Sequence, residues 1–348
     1  MSERYIGLMS GTSADGIDGV IAEFDGDRLT GLLGSLHHEY PDALRRRLID
    51  VSVDQPAITL AEFSALDAAI GDAFAAAARN LIRDSGVDPE SITAIGSHGQ
   101  TMFHDGPNGL TLQMGDAHRI AAATGITTIS DFRRLDMALG GQGAPLAPAF
   151  HQALFADATE SRCALNLGGI ANITTLPAGG RGTVIGYDTG PANGLMDEWM
   201  LRCTGQPFDD NGRFAASGQA NETMIAALLA DPYFASPAPK STGRDYFRLD
   251  WALKSYPALL ELAAQDVQAS LAQLTVRSVA DSIRRTMPDT ARLIVCGGGS
   301  KDAELLRLLG EALPGIAIDT SDMHGLAPEW IEAAAFAWLA IAAATSSA

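Results

Sequence analysis

The sequence predicts an α/β protein made of two domains. The chain has 348 residues, which is enough for two separate hydrophobic cores. Short apolar runs typical of strands alternate with stretches whose apolar residues recur at helical spacing. A strand, a glycine turn and a second strand occur near the start of each half, at residues 5–24 and 163–176. We therefore expect two domains of similar construction, each opening with a β-hairpin.

Composition limits the classes of partner. Hydrophobic residues make up 47% and charged residues 19% of the chain, as in a globular protein. The formal net charge of −18 argues against nucleic acid or an anionic membrane as the main partner. Three cysteines without paired spacing, and an N-terminus without a signal pattern, lead us to expect a cytoplasmic protein. The apolar run 333–344 is too short to span a membrane, so it predicts a buried helix.

The first hairpin turn is rich in groups that bind anions. Apolar residues lead into and out of the segment 9–18, which contains Gly11 and Gly16. Glycines have no side chain, so backbone N–H groups near them can approach an anion closely. Thr12 and Ser13 add hydroxyl donors. The segment suggests a phosphate-binding hairpin, although a turn that merely joins two strands remains open.

The remaining helices and strands are predicted from the spacing of apolar residues and from the positions of glycine, proline and capping residues. Apolar residues recur every three or four positions from 60 to 83, which predicts a helix that Gly86 ends. A strand at 92–96 is followed by the polar cluster 97–101, where α/β proteins collect ligands. Residues 131–148 are expected to form an irregular functional loop near the domain boundary. Further strands are expected at 29–37, 125–129, 184–187, 292–296 and 315–319, and further helices at 41–51, 115–124, 192–202, 259–285, 301–313 (capped by Ser300) and from 328 onward.

Three glycine turns call for a common explanation. They lie at 11–16, at 168–169 and at 297–299. None matches the Walker A loop or the dinucleotide-binding fingerprint. Two facing hairpin turns are suited to the β- and γ-phosphates of a nucleotide, and the triple glycine before a helix to its base or ribose. This arrangement resembles the actin-like ATPase and sugar kinase superfamily. That resemblance implies two ribonuclease H-like lobes with an ATP and sugar cleft between them.

A closer resemblance extends over nearly the whole chain. Seven sequence blocks are similar, in order, to those of the anhydro-N-acetylmuramic acid kinase family. They are GLMSGTSADGID (7–18), SHGQT (97–101), DFR (131–133), GQGAPL (141–146), NLGGIAN (166–172), DTGP (188–191) and CGGG (296–299).

The resemblance implies a coupled reaction. Water opens the 1,6-anhydro bridge of the sugar, and the freed O6 attacks the γ-phosphoryl group of ATP. The product is N-acetylmuramic acid 6-phosphate, an intermediate of peptidoglycan recycling. ATP and Mg²⁺ are the expected cofactors, with metal ligands unassigned, and a homodimer is plausible. The expected lobes are 1–130 with 325–348, and 131–324.

Site residues carry over by position. Asp188 is the expected general base, because a carboxylate at a strand end can take a proton from water. A simple helix cap at Asp188 is the alternative reading. Thr101, Arg133 and Glu332 are the expected sugar contacts, with Arg133 on the lactyl carboxylate. The expected nucleotide contacts are Gly11, Thr12, Ser13, Ala14, Asp15, Gly16, Ile17, Asp18, Gly168, Gly169, Gly297, Gly298 and Gly299.

Simpler roles stay open for the sugar contacts, as do other functions for the chain. Arg133 could form a surface salt bridge with Asp131 or Asp136, Thr101 a strand-end turn, and Glu332 a solvated helix start. A kinase of a plain anhydrohexose such as levoglucosan would have the same fold without needing Arg133. A non-catalytic sugar or nucleotide sensor would not need Asp188 together with both phosphate turns.

Overall fold

The computed structural model describes residues 2–106, 108–243 and 246–345. The chain divides into two compact units. Unit 1 comprises residues 1–154 and 330–348, and unit 2 comprises residues 155–329.

The described part of the chain contains eleven strands and thirteen α-helices. The strands are β1 (Glu3–Ser10), β2 (Gly16–Asp25), β3 (Arg28–Glu39), β4 (Ile92–Asp105), β5 (Leu110–Met114), β6 (Thr128–Ser130), β7 (Arg162–Leu167), β8 (Ile170–Leu176), β9 (Ile185–Pro191), β10 (Arg292–Cys296) and β11 (Ala317–Thr320). The helices are α1 (Asp42–Asp54), α2 (Leu60–Ser85), α3 (Ala117–Thr124), α4 (Phe132–Ala138), α5 (Ala147–Phe155), α6 (Asn193–Thr204), α7 (Arg213–Ala216), α8 (Glu222–Leu229), α9 (Pro232–Ala235), α10 (Leu249–Ser255), α11 (Ala264–Thr286), α12 (Ala303–Ala312) and α13 (Ile331–Thr345).

The two units contain sheets of the same order. In unit 1, β3, β2 and β1 form an antiparallel meander, and β4 joins the free edge of β1 in parallel. The other edge of β4 pairs in parallel with β6 and further along with antiparallel β5. In unit 2, the meander β9-β8-β7 is followed by parallel β10 and β11. The repeat inferred from the two hairpins is therefore present in the topology.

Helix α13 packs closely on the sheet of unit 1, and two glycines make this possible. A Cβ atom on Gly7 of β1 would lie 1.8 Å from the carbonyl oxygen of Ala333, and one on Gly96 of β4 would lie 2.0 Å from that of Phe336. The alanines at 333, 334, 335, 337 and 340 are buried. The apolar run 333–344 is thus part of a buried helix, as predicted. Within the described residues, no helix is long and apolar enough to cross a membrane.

The unit boundary differs from the expected one, because residues 131–154 belong to unit 1 and residues 325–329 to unit 2. Aromatic contacts explain the first change. The ring of Phe132 lies 5.5 Å from that of Phe336, and the ring of Phe150 lies 6.2 Å from that of Trp338. These contacts hold α4 and α5 against α13.

Three local expectations were also wrong. Strand β4 continues to Asp105, so the cluster 97–101 lies inside the strand and not after it. Residues 131–148 include helix α4 and the start of α5. Helix α12 begins after Asp302, whose carboxylate accepts the N–H of Leu305, whereas the Ser300 hydroxyl donates to the Gly297 carbonyl at 2.7 Å. The short segment 298–301 is a turn of 3-10 helix, which moves the cap two residues further on.

Candidate active site

The turn between β1 and β2 is held from its inner side by side chains that are distant in sequence. The N–H of Ala14 donates to Gly11 O at 3.1 Å, and Gln100 Nε2 donates to the same oxygen at 3.0 Å. Arg45 donates to Ala14 O at 3.1 Å and pairs with Asp15 at 2.7 Å. These bonds fix the carbonyl groups of the turn.

Buried polar groups lie below this turn, and exposed ones form its tip. The Ser10 hydroxyl is 2.6 Å from Gln100 Oε1 and 2.7 Å from Gly16 O. The side chains of Thr12 and Ser13 are exposed. The hydroxyls of Thr12 and Ser13 are therefore accessible to a ligand, while the Gly11, Ala14 and Gly16 carbonyls are already hydrogen-bonded.

Asp18 lies two residues into β2, beyond the turn itself. Its carboxylate is 2.7 Å from Nδ1 of His37 on the neighbouring strand β3. Both side chains remain partly open to solvent. Asp18 thus has a fixed position while keeping oxygen atoms that a ligand can reach.

Arg133 is held in place by a buried histidine. Its Nε donates to His98 Nε2 at 2.9 Å, and its Nη1 donates to Gly143 O at 2.7 Å. His98 Nδ1 lies 2.8 Å from Gly99 O, so Nδ1 carries the proton and Nε2 accepts. Burial, together with the adjacent Arg133 charge, lowers the pKa of His98 well below its usual value and keeps the ring neutral.

The salt bridge considered for Arg133 is made by its neighbour instead. Arg134 pairs with Asp131 at 2.6 Å, and the Asp136 carboxylate accepts the N–H of Gly143 at 2.7 Å. Burial lowers the pKa of Arg133, and the negative charges of Glu332 and Asp136 oppose that shift. Arg133 is therefore a desolvated, oriented cation.

The two other expected sugar contacts also belong to unit 1. Glu332 lies in the first turn of α13 and is exposed, while the neighbouring protein partly desolvates its carboxyl group. That partial desolvation raises its pKa, Arg133 opposes the rise, and the Asp18 charge adds to it. Thr101 lies on β4, where its hydroxyl accepts a hydrogen bond from Gln113 at 3.3 Å. The charges of Arg133 and Asp18 thus both act on the Glu332 carboxyl, in opposite directions.

In unit 2, the turn between β7 and β8 is fixed by the start of α6. The N–H of Asn193 donates to Gly168 O at 3.0 Å, and those of Ala192 and Gly194 both donate to Gly169 O at 3.1 Å. The first amides of the helix are thus used to hold the turn. As in the first hairpin, the carbonyl groups face into the protein.

The triple glycine lies against this second turn. Gly297 has a φ of +77°, and a Cβ atom there would lie 2.2 Å from Asn166 Oδ1. A Cβ atom on Gly299 would lie 2.6 Å from the side chain of Leu167. Close packing therefore explains two of the three glycines, and it also places the segment 297–299 next to the second hairpin.

Asp188 lies within strand β9 and does not cap α6. The helix begins after Ala192 and has no side-chain cap. Instead, the Asp188 carboxylate oxygen Oδ2 accepts the N–H of Thr242 at 2.9 Å and the hydroxyl of Ser241 at 3.2 Å. Burial raises the pKa of Asp188, and these two donors oppose the rise. An aspartate that is partly desolvated but held by donors is a suitable general base.

Sequence reasoning missed the residues that support the site. Gln100 and Arg45 hold the first turn, His98 orients Arg133, and Ser241 and Thr242 hold Asp188. The block 97–101 did contain two of them, but the segment 240–242 gave no signal because it lies in an irregular region of the sequence.

Two units with the same sheet order, each containing a strand–glycine turn–strand hairpin, give the chain the actin-like ATPase fold. Two solved structures share the fold over nearly their whole length. The activator of the 2-hydroxyisocaproyl-CoA dehydratase from Clostridium difficile has a TM-score of 0.50 at 14% identity, covering 99% of this chain and 96% of that one. Component A of the (R)-2-hydroxyglutaryl-CoA dehydratase from Acidaminococcus fermentans has a TM-score of 0.52 at 10% identity, covering 99% of both chains.

Sequence comparison identifies the family. Residues 3–346 match the family model of anhydro-N-acetylmuramic acid kinase. A relative of that name from Xanthomonas oryzae pv. oryzae (strain MAFF 311018) is 50% identical over 340 residues, covering 97% of this chain and 89% of the relative. Another of that name, from Coxiella burnetii (strain Dugway 5J108-111), is 45% identical over 340 residues, covering 97% and 90%. The chain belongs to the anhydro-N-acetylmuramic acid kinase family.

This membership confirms the predicted fold class and activity, that of an ATP-dependent amino-sugar kinase of peptidoglycan recycling. It favours that function over the levoglucosan kinase and the sensor.

Proposed function

We propose that Asp188 is the general base of a coupled hydrolysis and phosphoryl transfer on 1,6-anhydro-N-acetylmuramic acid. A water molecule gives a proton to the Asp188 carboxylate and forms a bond to C1 of the sugar. The C1–O6 bond breaks, O6 bonds to the γ-phosphorus of ATP, and ADP leaves with the bridging oxygen. One proton is released to solvent when Asp188 ionises again. The observation that carries the proposal is the partly desolvated Asp188 carboxylate, held by donors on one oxygen.

Only one carboxylate is needed for this bond cleavage. An ordinary glycosidase protonates its leaving oxygen with a second carboxylic acid. Here the phosphoryl group takes that place, because O6 is captured by phosphorus as it leaves C1. Asp188 therefore only has to remove the proton of the water molecule. General base catalysis of this kind contributes about 10²–10⁴-fold to the rate in other enzymes.

The two glycine hairpins are proposed to hold the phosphates of ATP, with residues 297–299 on the adenosine side. The support is that the carbonyls of both turns are tied into the protein. Within the described residues, no three His, Cys, Asp or Glu side chains form a metal site. That suits Mg²⁺ bound mainly through phosphate oxygens and water. Such an ion would neutralise phosphate charge during transfer.

Arg133 is proposed to bind the lactyl carboxylate of the sugar, and Thr101 and Glu332 its polar groups. A guanidinium matches a carboxylate in a forked pair, and His98 already holds one edge of this guanidinium in a fixed orientation. The pairing distinguishes the substrate from levoglucosan, which has no carboxylate. A homodimer and a cytoplasmic location remain predictions from the sequence.

The first experiment measures ADP release with ATP and Mg²⁺ on three sugars. These are 1,6-anhydro-N-acetylmuramic acid, levoglucosan and open N-acetylmuramic acid. The native protein is expected to turn over the first alone. Asp188→Asn is expected to lower kcat by about 10³-fold. Asp281→Asn is the matched control, because the Asp281 carboxylate forms a surface ion pair with Arg284 and is not bonded to Asp188.

Three other results would each contradict a part of the proposed function. Turnover of levoglucosan alone would keep the fold and remove the amino-sugar assignment. Turnover of open N-acetylmuramic acid alone would leave an ordinary hydroxyl kinase. Native kcat in Asp188→Asn, with an unchanged unfolding curve, would remove the general-base role.

A further inference from the structure

Three consecutive residues of unit 2 bind Asp188 from one side, and we name Lys240, Ser241 and Thr242 the 240–242 strap. The N–H of Asp188 donates to Lys240 O at 3.0 Å. Ser241 Oγ and the N–H of Thr242 both donate to Asp188 Oδ2, at 3.2 and 2.9 Å. The strap thus binds both the main chain and the carboxylate of Asp188.

Both carboxylate bonds end on the same oxygen. Two donors on Oδ2 fix the rotation of the carboxylate about its Cβ–Cγ bond. They also use the lone-pair positions of Oδ2 and direct proton uptake to Oδ1. A general base gains from this restriction, because the accepting oxygen must face its water at hydrogen-bond distance.

The strap is itself anchored by Tyr233 of helix α9. Lys240 Nζ donates to Tyr233 O at 2.7 Å and lies 4.3 Å from the centre of the Tyr233 ring. The Tyr233 hydroxyl in turn donates to the main-chain oxygen of Asp188 at 2.8 Å. Asp188, the strap and Tyr233 therefore form a closed set of contacts whose members hold one another.

We propose that Ser241 is a positioning residue of the reaction: its hydroxyl, together with the Thr242 amide, orients Asp188 so that Oδ1 receives the water proton. The strap also favours the ionised carboxylate, since both donors bind its charged form. This inference rests on the proposed role of Asp188 as general base.

The titratable groups around Asp188 keep their charge at acid pH, so they do not obscure the titration of its carboxylate. Burial raises the pKa of both Tyr187 and Tyr233, so both phenols stay neutral at acid pH. Burial, followed by the Arg285 charge, lowers the pKa of Lys240 to about 8, so its ammonium stays charged there. Arg285, which donates to Phe234 O, is the neighbouring cation. Among these groups, Asp188 alone changes charge at acid pH.

The test is the pH profile of kcat and kcat/KM for 1,6-anhydro-N-acetylmuramic acid in Ser241→Ala. We expect kcat to fall about tenfold with KM changed less than twofold, since the carboxylate without this bond is free to turn Oδ1 away from the attacking water. We also expect the acid limb to move upward by roughly half a pH unit, because a donor to the carboxylate is lost. Ser241→Thr keeps the hydroxyl and is expected to restore both. Ser236→Ala is the matched control, because Ser236 Oγ donates to Pro232 O and not to Asp188.

Lys240→Met provides a second route if Ser241→Ala folds poorly. It removes the ammonium that ties the strap to Tyr233 and leaves the Lys240 carbonyl in place. The acid limb is expected to move in the same direction. A fall in kcat with an unmoved acid limb would indicate a structural role only and overturn the proposal, as would native kinetics in both variants.

Asp188→Asn, measured alongside, tests the general-base role separately from the positioning role of Ser241. If Asp188→Asn is inactive and Ser241→Ala is native, the inference alone fails. If Asp188→Asn keeps native kcat, the proposed function fails and the inference fails with it.

Discussion

Replacing Gly7 with alanine tests how the closing helix α13 is seated on the sheet of unit 1. Gly7 lies in the buried part of β1, and its backbone approaches the helix directly. A Cβ atom there would lie 1.8 Å from Ala333 O, 2.6 Å from Ala337 N and 2.9 Å from Ala333 C. All three contacts are with main-chain atoms, so no side chain can turn aside to make room.

The size of the effect follows from these distances. Contacts of a Cβ atom below 3.0 Å are essentially never seen, so the helix backbone must retreat by about 1.2 Å at Ala333. Overpacking a core costs about 1–3 kcal/mol when side chains can adjust, and here a packed helix must move. We expect the free energy of unfolding to fall by about 3 kcal/mol or more. Glu332 precedes Ala333 and would move with it, so we expect KM for the sugar to rise as well.

The measurement is denaturant unfolding of Gly7→Ala beside Gly31→Ala. Gly31 is also a strand glycine, but a Cβ atom there meets nothing within 4 Å and its φ is ordinary. Alanine at position 31 is expected to be neutral or stabilising by up to about 1 kcal/mol. A Gly7→Ala protein within 0.5 kcal/mol of the native one, a threshold of roughly the size seen at open surface sites, would refute the close-packing argument.

Three further predictions concern other parts of the molecule. In steady-state kinetics, Arg133→Ala should raise KM for anhydro-N-acetylmuramic acid about tenfold or more. Arg134→Ala should leave this KM unchanged, because Arg134 forms a surface ion pair with Asp131. Burial lowers the pKa of His151 to about 4, so as the pH falls the unfolded chain protonates this histidine before the folded protein does. The free energy of unfolding should therefore fall by about 3 kcal/mol between pH 6.5 and 4. Unfolding measured at several pH values should show a smaller pH dependence of stability in His151→Asn. Gly297→Ala should raise KM for ATP and destabilise more than Gly315→Ala, because both glycines have positive φ but only Gly297 is crowded; equal unfolding midpoints would contradict this.

Local sequence signals predicted most of the architecture. The strand bounds 170–176 and 292–296 agree with the structure, and helix α2 ends at Gly86 as its periodicity and glycine suggested. Two strand–turn–strand units predicted a repeat, and the two sheets do contain the same strand arrangement. These successes rest on patterns that a few neighbouring residues carry by themselves.

The extent of β4 and the place of residues 131–154 had no such local signal. The polar block 97–101 continues a strand because Gln100 and Thr101 pair with Met114 and Gln113 of β5. The segment 131–154 joins unit 1 because Phe132 and Phe150 reach aromatic rings of α13, near the other end of the chain. Burial and pairing with distant residues outweighed the local glycine-rich composition.

In the candidate site, too, some features have a local sequence signal and others depend on contacts between residues distant in the chain. The sequence by itself was enough to propose which residues bear the chemistry, since Asp188, Arg133 and the glycine turns lie in blocks that resemble those of the family. Only the tertiary structure decided what orients them. Ser241 reaches Asp188 across 53 positions, and His98 reaches Arg133 across 35. A hydrogen bond depends on distance and angle in space, and no spacing along the chain encodes a partner that folding alone brings near.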